Sequence, residues 1–143
     1  GDATAVRDWL AGQAEAMTSL LERLVNVDSG TGDKAGVDRA GDILVAFWKS
    51  HGLEVEVRPL ALHGDAIMAR LPQPDAADQR PILLLGHRDT VFPIGEAGRR
   101  PFRIENGRGY GPGVADMKSG LVIEAFVMAA FAALGGAPAP LLM

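Results

Sequence analysis

The stretch RPILLLGHRDTVFP, residues 80–93, decides the fold class. Its run at 82–85 is apolar at every position, which is typical of a central strand that is covered on both faces of a sheet. Gly86 ends the run, and His87 and Asp89 follow at once. Because open α/β sheets bind ligands beyond the carboxyl ends of their strands, we expect a functional site here.

Helical and strand patterns alternate along the rest of the chain. Apolar residues at helical spacing, strict alternation and continuous apolar runs distinguish the two kinds of element. The predicted helices are 4–27, 37–50 and 117–134, and the predicted strands are 53–60, 66–71, 82–85 and one that begins at 140. A loop and a short hairpin precede the last helix. This order predicts an α/β protein with an α/β/α layer arrangement.

Composition excludes several classes of function. The net charge of -4 and the scattered Lys and Arg residues argue against nucleic-acid binding. The apolar stretch 121–134 is fourteen residues long (134 − 121 + 1) and contains Glu124, whereas a membrane span needs about 20 apolar residues. No cysteine is present, so disulfides and thiolate sites are excluded. The first ten residues lack a signal-peptide pattern, which leaves cytoplasm and periplasm both open.

His87 and Asp89 have the spacing of a metal ligand and its orienting partner. A neutral imidazole binds zinc well, and its second ring nitrogen usually donates to a carboxylate. Taken alone, the pair also fits a hydrogen-bonded loop histidine and a turn carboxylate. A second motif follows 29 residues later (116 − 87), where a glycine-rich segment leads to Asp116. Taken alone, Asp116 could be the N-cap of the last helix.

The two motifs together resemble a known family. GHRDTVFP followed by YGPGVADMKSG is similar to the N-terminal signatures of the zinc-dependent peptidases that include glutamate carboxypeptidase, acetylornithine deacetylase, succinyl-diaminopimelate desuccinylase and aminoacylase. LLERLVNVDSGTGDKAGVDRAG and PFRIENGRGYGPG resemble the opening of the carboxypeptidase G type members more than that of the deacetylases. The resemblance covers most of the chain and implies a three-layer α/β/α catalytic domain of the zinc-exopeptidase type.

The resemblance also implies a co-catalytic site with two zinc ions, for which cobalt could substitute. His87 would bind one metal, Asp116 would bridge both, and Asp89 would be the catalytic residue that orients His87. The peptide bond after Asp116 would be cis. The implied reaction is amide hydrolysis, with release of a C-terminal glutamate-like amino acid. N-acyl amino acid deacylation by the same chemistry is the alternative.

Two positions depart from the family pattern. Arg88 stands where an apolar or aromatic residue is usual, and Ser119 replaces the first glycine of the D-x-K-G-G ending. Neither change removes a ligand. Because alternate side chains of an extended segment face opposite ways, we expect Arg88 to point away from His87 as a solvated or paired charge.

The resemblance implies further parts that this sequence lacks: a Glu-Glu pair, two later metal ligands and a lid domain that mediates dimerisation. We therefore expect residues 1–143 to be the N-terminal part of one metallopeptidase catalytic domain, inactive by itself. Its expected partners are a small peptide or acyl-amino-acid substrate, the remainder of its own polypeptide and, when intact, a second copy. A non-catalytic domain with a vestigial metal motif is the alternative from another class.

Overall fold

The computed structural model describes residues 2–143. The helices in this part of the chain are α1 (Ala3–Ala11), α2 (Ala14–Val25), α3 (Lys34–Ser50), α4 (Glu96–Arg99) and α5 (Ser119–Ala133). The strands are β1 (Glu54–Arg58), β2 (Ala66–Leu71), β3 (Ile82–Leu83), β4 (Arg103–Glu105), β5 (Arg108–Tyr110) and β6 (Leu141–Leu142). A π-helical turn, Val114–Lys118, leads directly into α5.

The N-terminal region forms two helices, so the prediction of one helix over 4–27 is wrong. The backbone N–H of Gly12 closes α1 by donating to the carbonyls of Asp8 and Trp9 at 3.3 and 3.1 Å. Helix α2 restarts at Ala14 and buries Leu20, Leu24 and Val25. Glycine weakens a helix interior by about 1 kcal/mol relative to alanine, which makes Gly12 a natural place for this break.

Helix α3 begins earlier than its apolar pattern predicts. The carboxylate of Asp33 accepts a hydrogen bond of 3.0 Å from the backbone N–H of Gly36 and so caps the helix. The helix ends at Ser50, as predicted, and Gly52 has the expected left-handed backbone, with φ of 76°.

Four strands form a mixed sheet in the order β1-β2-β6-β3. Strand β2 pairs antiparallel with β1 and β6, whereas β3 pairs parallel with β6. The predicted pairing of β1 with β2, the strand that begins near 140 and the short hairpin, formed by β4 and β5, are confirmed. The α/β fold class is confirmed as well.

Strand β3 does not occupy the predicted central position. In the described chain it lies at the edge of the sheet, opposite β1. Leu83 is 60% exposed and Leu85 is 78% exposed, although an uninterrupted apolar run predicts cover on both faces. Leu84 packs against the core, whereas Leu83 and Leu85 belong to a surface that no element within residues 2–143 covers.

The core lies between the sheet and helices α1, α2, α3 and α5. Its largest buried members come from α2, α3 and α5, and Ala69, Leu71 and Leu141 contribute from the sheet. Helix α5 is apolar nearly all round, packs against α1, α2 and α3, and buries seven of its fifteen residues. Its Ile123 is 55% exposed. No helix within residues 2–143 is long and apolar enough to cross a membrane.

Candidate metal centre

His87 and Asp116 come together although 29 residues separate them. The imidazole Nε2 of His87 lies 3.1 Å from Oδ1 of Asp116. His87 follows β3 and Asp116 lies in the π-helical turn before α5, so the site stands at the carboxyl end of the β3 segment, as predicted. Both side chains line a cleft of about 380 Å³.

Asp89 holds the other side of the imidazole. Its Oδ1 lies 3.1 Å from Nδ1 of His87, and its own backbone carbonyl lies at the same distance from that nitrogen. Thr31 donates its hydroxyl to Oδ2 of Asp89 at 2.5 Å. A neutral His87 with its proton on Nδ1 would donate to Asp89 and leave the lone pair of Nε2 facing Asp116. This is the orientation that a metal ligand requires.

The hydrogen bonds around His87 and Asp89 shift the pKa values of both side chains. Burial lowers the pKa of His87, but its hydrogen bonds to the Asp89 backbone and to Asp116 outweigh burial, so the pKa is raised. The hydroxyl of Thr31 is the main cause of the lowered pKa of Asp89. Asp89 is thus ionised at neutral pH, and a metal ion that binds Nε2 would compete with a proton.

The turn that carries Asp116 has an irregular backbone. Asp116 and Met117 lie outside helical φ/ψ values, and the peptide bond between them is cis, as the family resemblance implies. Gly113 precedes the turn with φ of 76°, and a Cβ there would lie 2.5 Å from Cγ2 of Thr90. Glycine is therefore required at this position. The N-cap position of α5 is Lys118, so the interpretation of Asp116 as the helix cap is wrong.

Lys118 secures the turn from beneath and was not identified from the sequence. Its side chain is buried, and Nζ donates to the backbone carbonyls of Leu24 at 2.6 Å and Val27 at 2.9 Å. These carbonyls lie at and just beyond the end of α2. Burial lowers the pKa of Lys118 to about 8. Lys118 thereby connects the Asp116 turn to the C-terminal end of α2.

Arg88 points away from the cleft, as predicted, but it is not solvated. Its side chain is 14% exposed, and Nε donates to the backbone carbonyl of Val37 at 2.9 Å. The carboxylate of Asp38 lies 3.8 Å from the guanidinium. Arg88 is therefore a paired, largely buried charge on the side of the segment opposite His87 and Asp89.

The donor set fits zinc but does not complete a site. Two ligands of a tetrahedral zinc with bonds of about 2.0–2.1 Å stand about 3.3 Å apart, close to the observed separation of His87 Nε2 and Asp116 Oδ1, 3.1 Å. The Asp116 side chain is 85% exposed, so one of its faces is open to a second ion. Across residues 2–143 no three His, Cys, Asp or Glu side chains are arranged to hold a metal ion.

Residues 83–142, which include both motifs, match the model of peptidase family M20/M25/M40. This chain contains part of a peptidase domain of the M20/M25/M40 family. It is 38% identical over 107 residues to carboxypeptidase G2 of Pseudomonas sp. (strain RS-16), an alignment that covers 73% of this chain and 25% of that protein. The family resemblance drawn from the two motifs is thereby confirmed.

Solved structures confirm the fold. The chain superposes on human carnosine dipeptidase 1 with a TM-score of 0.80 at 16% identity, over 96% of this chain and 32% of that one. The dipeptidase Dug1p of Saccharomyces cerevisiae gives 0.76 at 18% identity, over 97% and 33% of the two chains. A Staphylococcus aureus tripeptidase gives 0.67 at 21% identity, over 88% and 34%. The chain thus spans about a quarter to a third of the length of these four proteins.

Proposed function

We propose that this chain supplies the first metal ligands of a zinc-dependent amide hydrolase and forms the N-terminal part of its catalytic domain. The observation that carries the proposal is the meeting of His87 Nε2 and Asp116 Oδ1, with Asp89 behind the imidazole. Membership of a peptidase family supports the reaction class. The share of its relatives that the chain covers supports the view that further catalytic residues belong to the intact protein.

Each residue has a defined task in this proposal. His87 would bind one zinc through Nε2, Asp116 would bridge two, and Asp89 would keep the proton of His87 on Nδ1. Two zinc ions held there would supply a Lewis acid for the amide carbonyl and a water molecule of lowered pKa as nucleophile. Cobalt could replace zinc because its binding preferences for nitrogen and oxygen ligands are similar.

The general base must come from the remainder of the polypeptide. Glu96 is engaged by Arg99 and Arg100, and it also lies outside the cleft. Glu124 packs against Gly86 from within α5, and burial raises the pKa of its carboxyl. We therefore propose that residues 1–143 are inactive without the remaining chain. We also propose, from the family resemblance, that the remaining chain contributes a dimer interface.

We propose a C-terminal glutamate-like amino acid as the leaving group. The 38% identity to a protein named carboxypeptidase G2 supports this choice over N-acyl amino acid deacylation. The experiment is hydrolysis of a panel of acyl-glutamates and N-acetyl amino acids by the full-length protein. Acyl-glutamates should be the better substrates, a chelator should abolish hydrolysis, and added zinc or cobalt should restore it.

Two variants test the proposed ligands in this experiment, and a third serves as the control. His87→Ala and Asp116→Ala each remove a proposed ligand and should abolish turnover. Asp75→Ala removes an exposed carboxylate from the loop after β2 and should retain it. Chelator-resistant hydrolysis would contradict the metal-dependent reaction, whereas preference for acetylated substrates would assign the protein to the deacylases.

A further inference from the structure

Arg88 lies between His87 and Asp89, the two residues of the segment after β3 that the proposed metal site requires. His87 and Asp89 face the cleft, and the Arg88 side chain leaves the backbone on the opposite side, as alternation in extended chain dictates. The backbone carbonyl of Arg88 accepts a hydrogen bond of 2.9 Å from the hydroxyl of Ser29. Any shift of Arg88 therefore moves both cleft residues.

The guanidinium is inserted between α3 and the loop that precedes β2. Nε donates to Val37 of α3, and one terminal nitrogen donates to the backbone carbonyl of Asp65 in the loop. A Cβ on Gly41 would lie 2.9 Å from Nε of Arg88. The absence of a side chain at position 41 is thus what allows the guanidinium to approach α3 so closely.

A second layer of contacts fixes these acceptors in place. Asp38 of α3 accepts from Lys34 at 2.8 Å and from the backbone N–H of Asp65 at 2.7 Å. Asp65 in turn accepts from the same ammonium group at 2.7 Å. The carboxylate of Asp38 faces the guanidinium at 3.8 Å. The groups around the Arg88 guanidinium are therefore themselves fixed by hydrogen bonds to one another.

We propose that Arg88 is a positioning residue, which anchors the His87–Asp89 segment to α3 and so holds His87 in the orientation that binds zinc. The inference rests on the proposed metal site and adds to it a residue that does not itself line the cleft. Catalytic geometry must be held within about 0.5 Å, and anchors of this kind serve that requirement.

The test compares zinc affinity in variants of the full-length protein, by competition with a chromogenic chelator. Arg88→Met keeps an unbranched side chain as far as the position of Nε and removes every donor. It should weaken zinc binding about 10- to 100-fold, as loss of the partners that orient a ligand does. Arg88→Lys keeps the charge without the planar fork and should give an intermediate loss. With acyl-glutamate substrates, kcat should fall while KM stays nearly constant.

Two further variants separate positioning from general stability. Leu53→Ala opens a cavity in the core, away from Arg88, and should lower the thermal midpoint without weakening zinc binding at low temperature. Asp38→Asn weakens the network without removing Arg88 and should reduce zinc affinity in the same direction as Arg88→Met. It decides the question if Arg88→Met fails to fold.

Unchanged zinc affinity in Arg88→Met or in Asp38→Asn would overturn the proposal, as would an equal loss in Leu53→Ala. Failure of the wild-type protein to bind zinc would instead contradict the metal site itself. The two failures are therefore distinguishable in one set of titrations.

Discussion

The buried lysine beneath the Asp116 turn should make stability depend on pH in an unusual window. Lys118 is 1% exposed, and burial lowers its pKa from 10.5 to about 8. Between these two values the unfolded chain binds a proton that the folded protein has lost. Because stability rises with pH wherever the unfolded state binds more protons, the free energy of unfolding should increase from pH 8 to pH 10.5.

The size of this effect follows from the pKa difference. One pKa unit corresponds to about 1.36 kcal/mol, so a shift of 2.5 units (10.5 − 8) corresponds to roughly 3 kcal/mol. That cost is present in full below pH 8, where Lys118 is charged in both states. It disappears as the pH approaches 10.5, since the lysine is then neutral in both.

Urea unfolding of the metal-free protein at several pH values between 7 and 10.5 measures the effect, with Lys118→Met as the reference. Subtracting the curve of the variant cancels the other groups that titrate in this range. The difference, wild type minus variant, should rise by about 3 kcal/mol across the window. Lys49→Met, which removes an exposed lysine from α3, corrects for loss of a lysine charge. A difference that is flat, or that falls with pH, would refute the buried, charged lysine described here.

Two further predictions concern the site and the sheet edge. Asp89→Ala in the full-length protein should reduce kcat about 10- to 100-fold, because His87 loses the partner that orients it, and activity equal to that of Asp75→Ala would contradict this role. Residues 1–143 alone should self-associate on gel filtration, because the uncovered β3 edge exposes Leu83 and Leu85. Leu83→Lys should shift the chain toward the monomer, whereas Leu62→Lys, in the exposed loop before β2, should not. A wild-type chain that elutes as a clean monomer at high concentration would count against this prediction.

The residues at the centre of the site could be predicted because each motif is local. An apolar run that ends before Gly86 determines where His87 and Asp89 emerge, and the two-residue spacing in extended chain places both on one side. The glycine-rich approach to Asp116 similarly indicates a tight turn before a helix. Their convergence, at 3.1 Å between His87 and Asp116, follows from the family's fold and not from spacing alone.

The supporting contacts could not be predicted because they join distant parts of the chain. Lys118 meets the carbonyl of Leu24 across 94 residues, and Thr31 meets Asp89 across 58. Apolar periodicity carries no information on such pairs, because a lysine or a threonine near a glycine-rich loop is ordinarily exposed. The same limitation applied to Arg88, whose burial depends on the absence of a side chain at Gly41.

The edge position of β3 shows a different limit. The apolar run at 82–85 predicts a strand, of which the structure forms Ile82–Leu83. The pattern indicates side chains suited to a covered position, but it does not show which strands lie beside them, and in the described chain β3 lies at the edge of the sheet. The break at Gly12 was missed because apolar positions on both sides of it remain compatible with one continuous helix. Periodicity identified the helical region and left its interruption unresolved.

The most direct measurement of the central claim is the position of zinc in crystals of the full-length protein, from anomalous diffraction on both sides of the zinc absorption edge. The proposed site predicts two zinc ions about 3.5–4 Å apart, bridged by the Asp116 carboxylate. Nε2 of His87 should lie about 2.0–2.1 Å from one of them, with Nδ1 still hydrogen-bonded to Asp89. Zinc bound elsewhere, with neither His87 nor Asp116 among its ligands in a well-ordered site, would contradict the account.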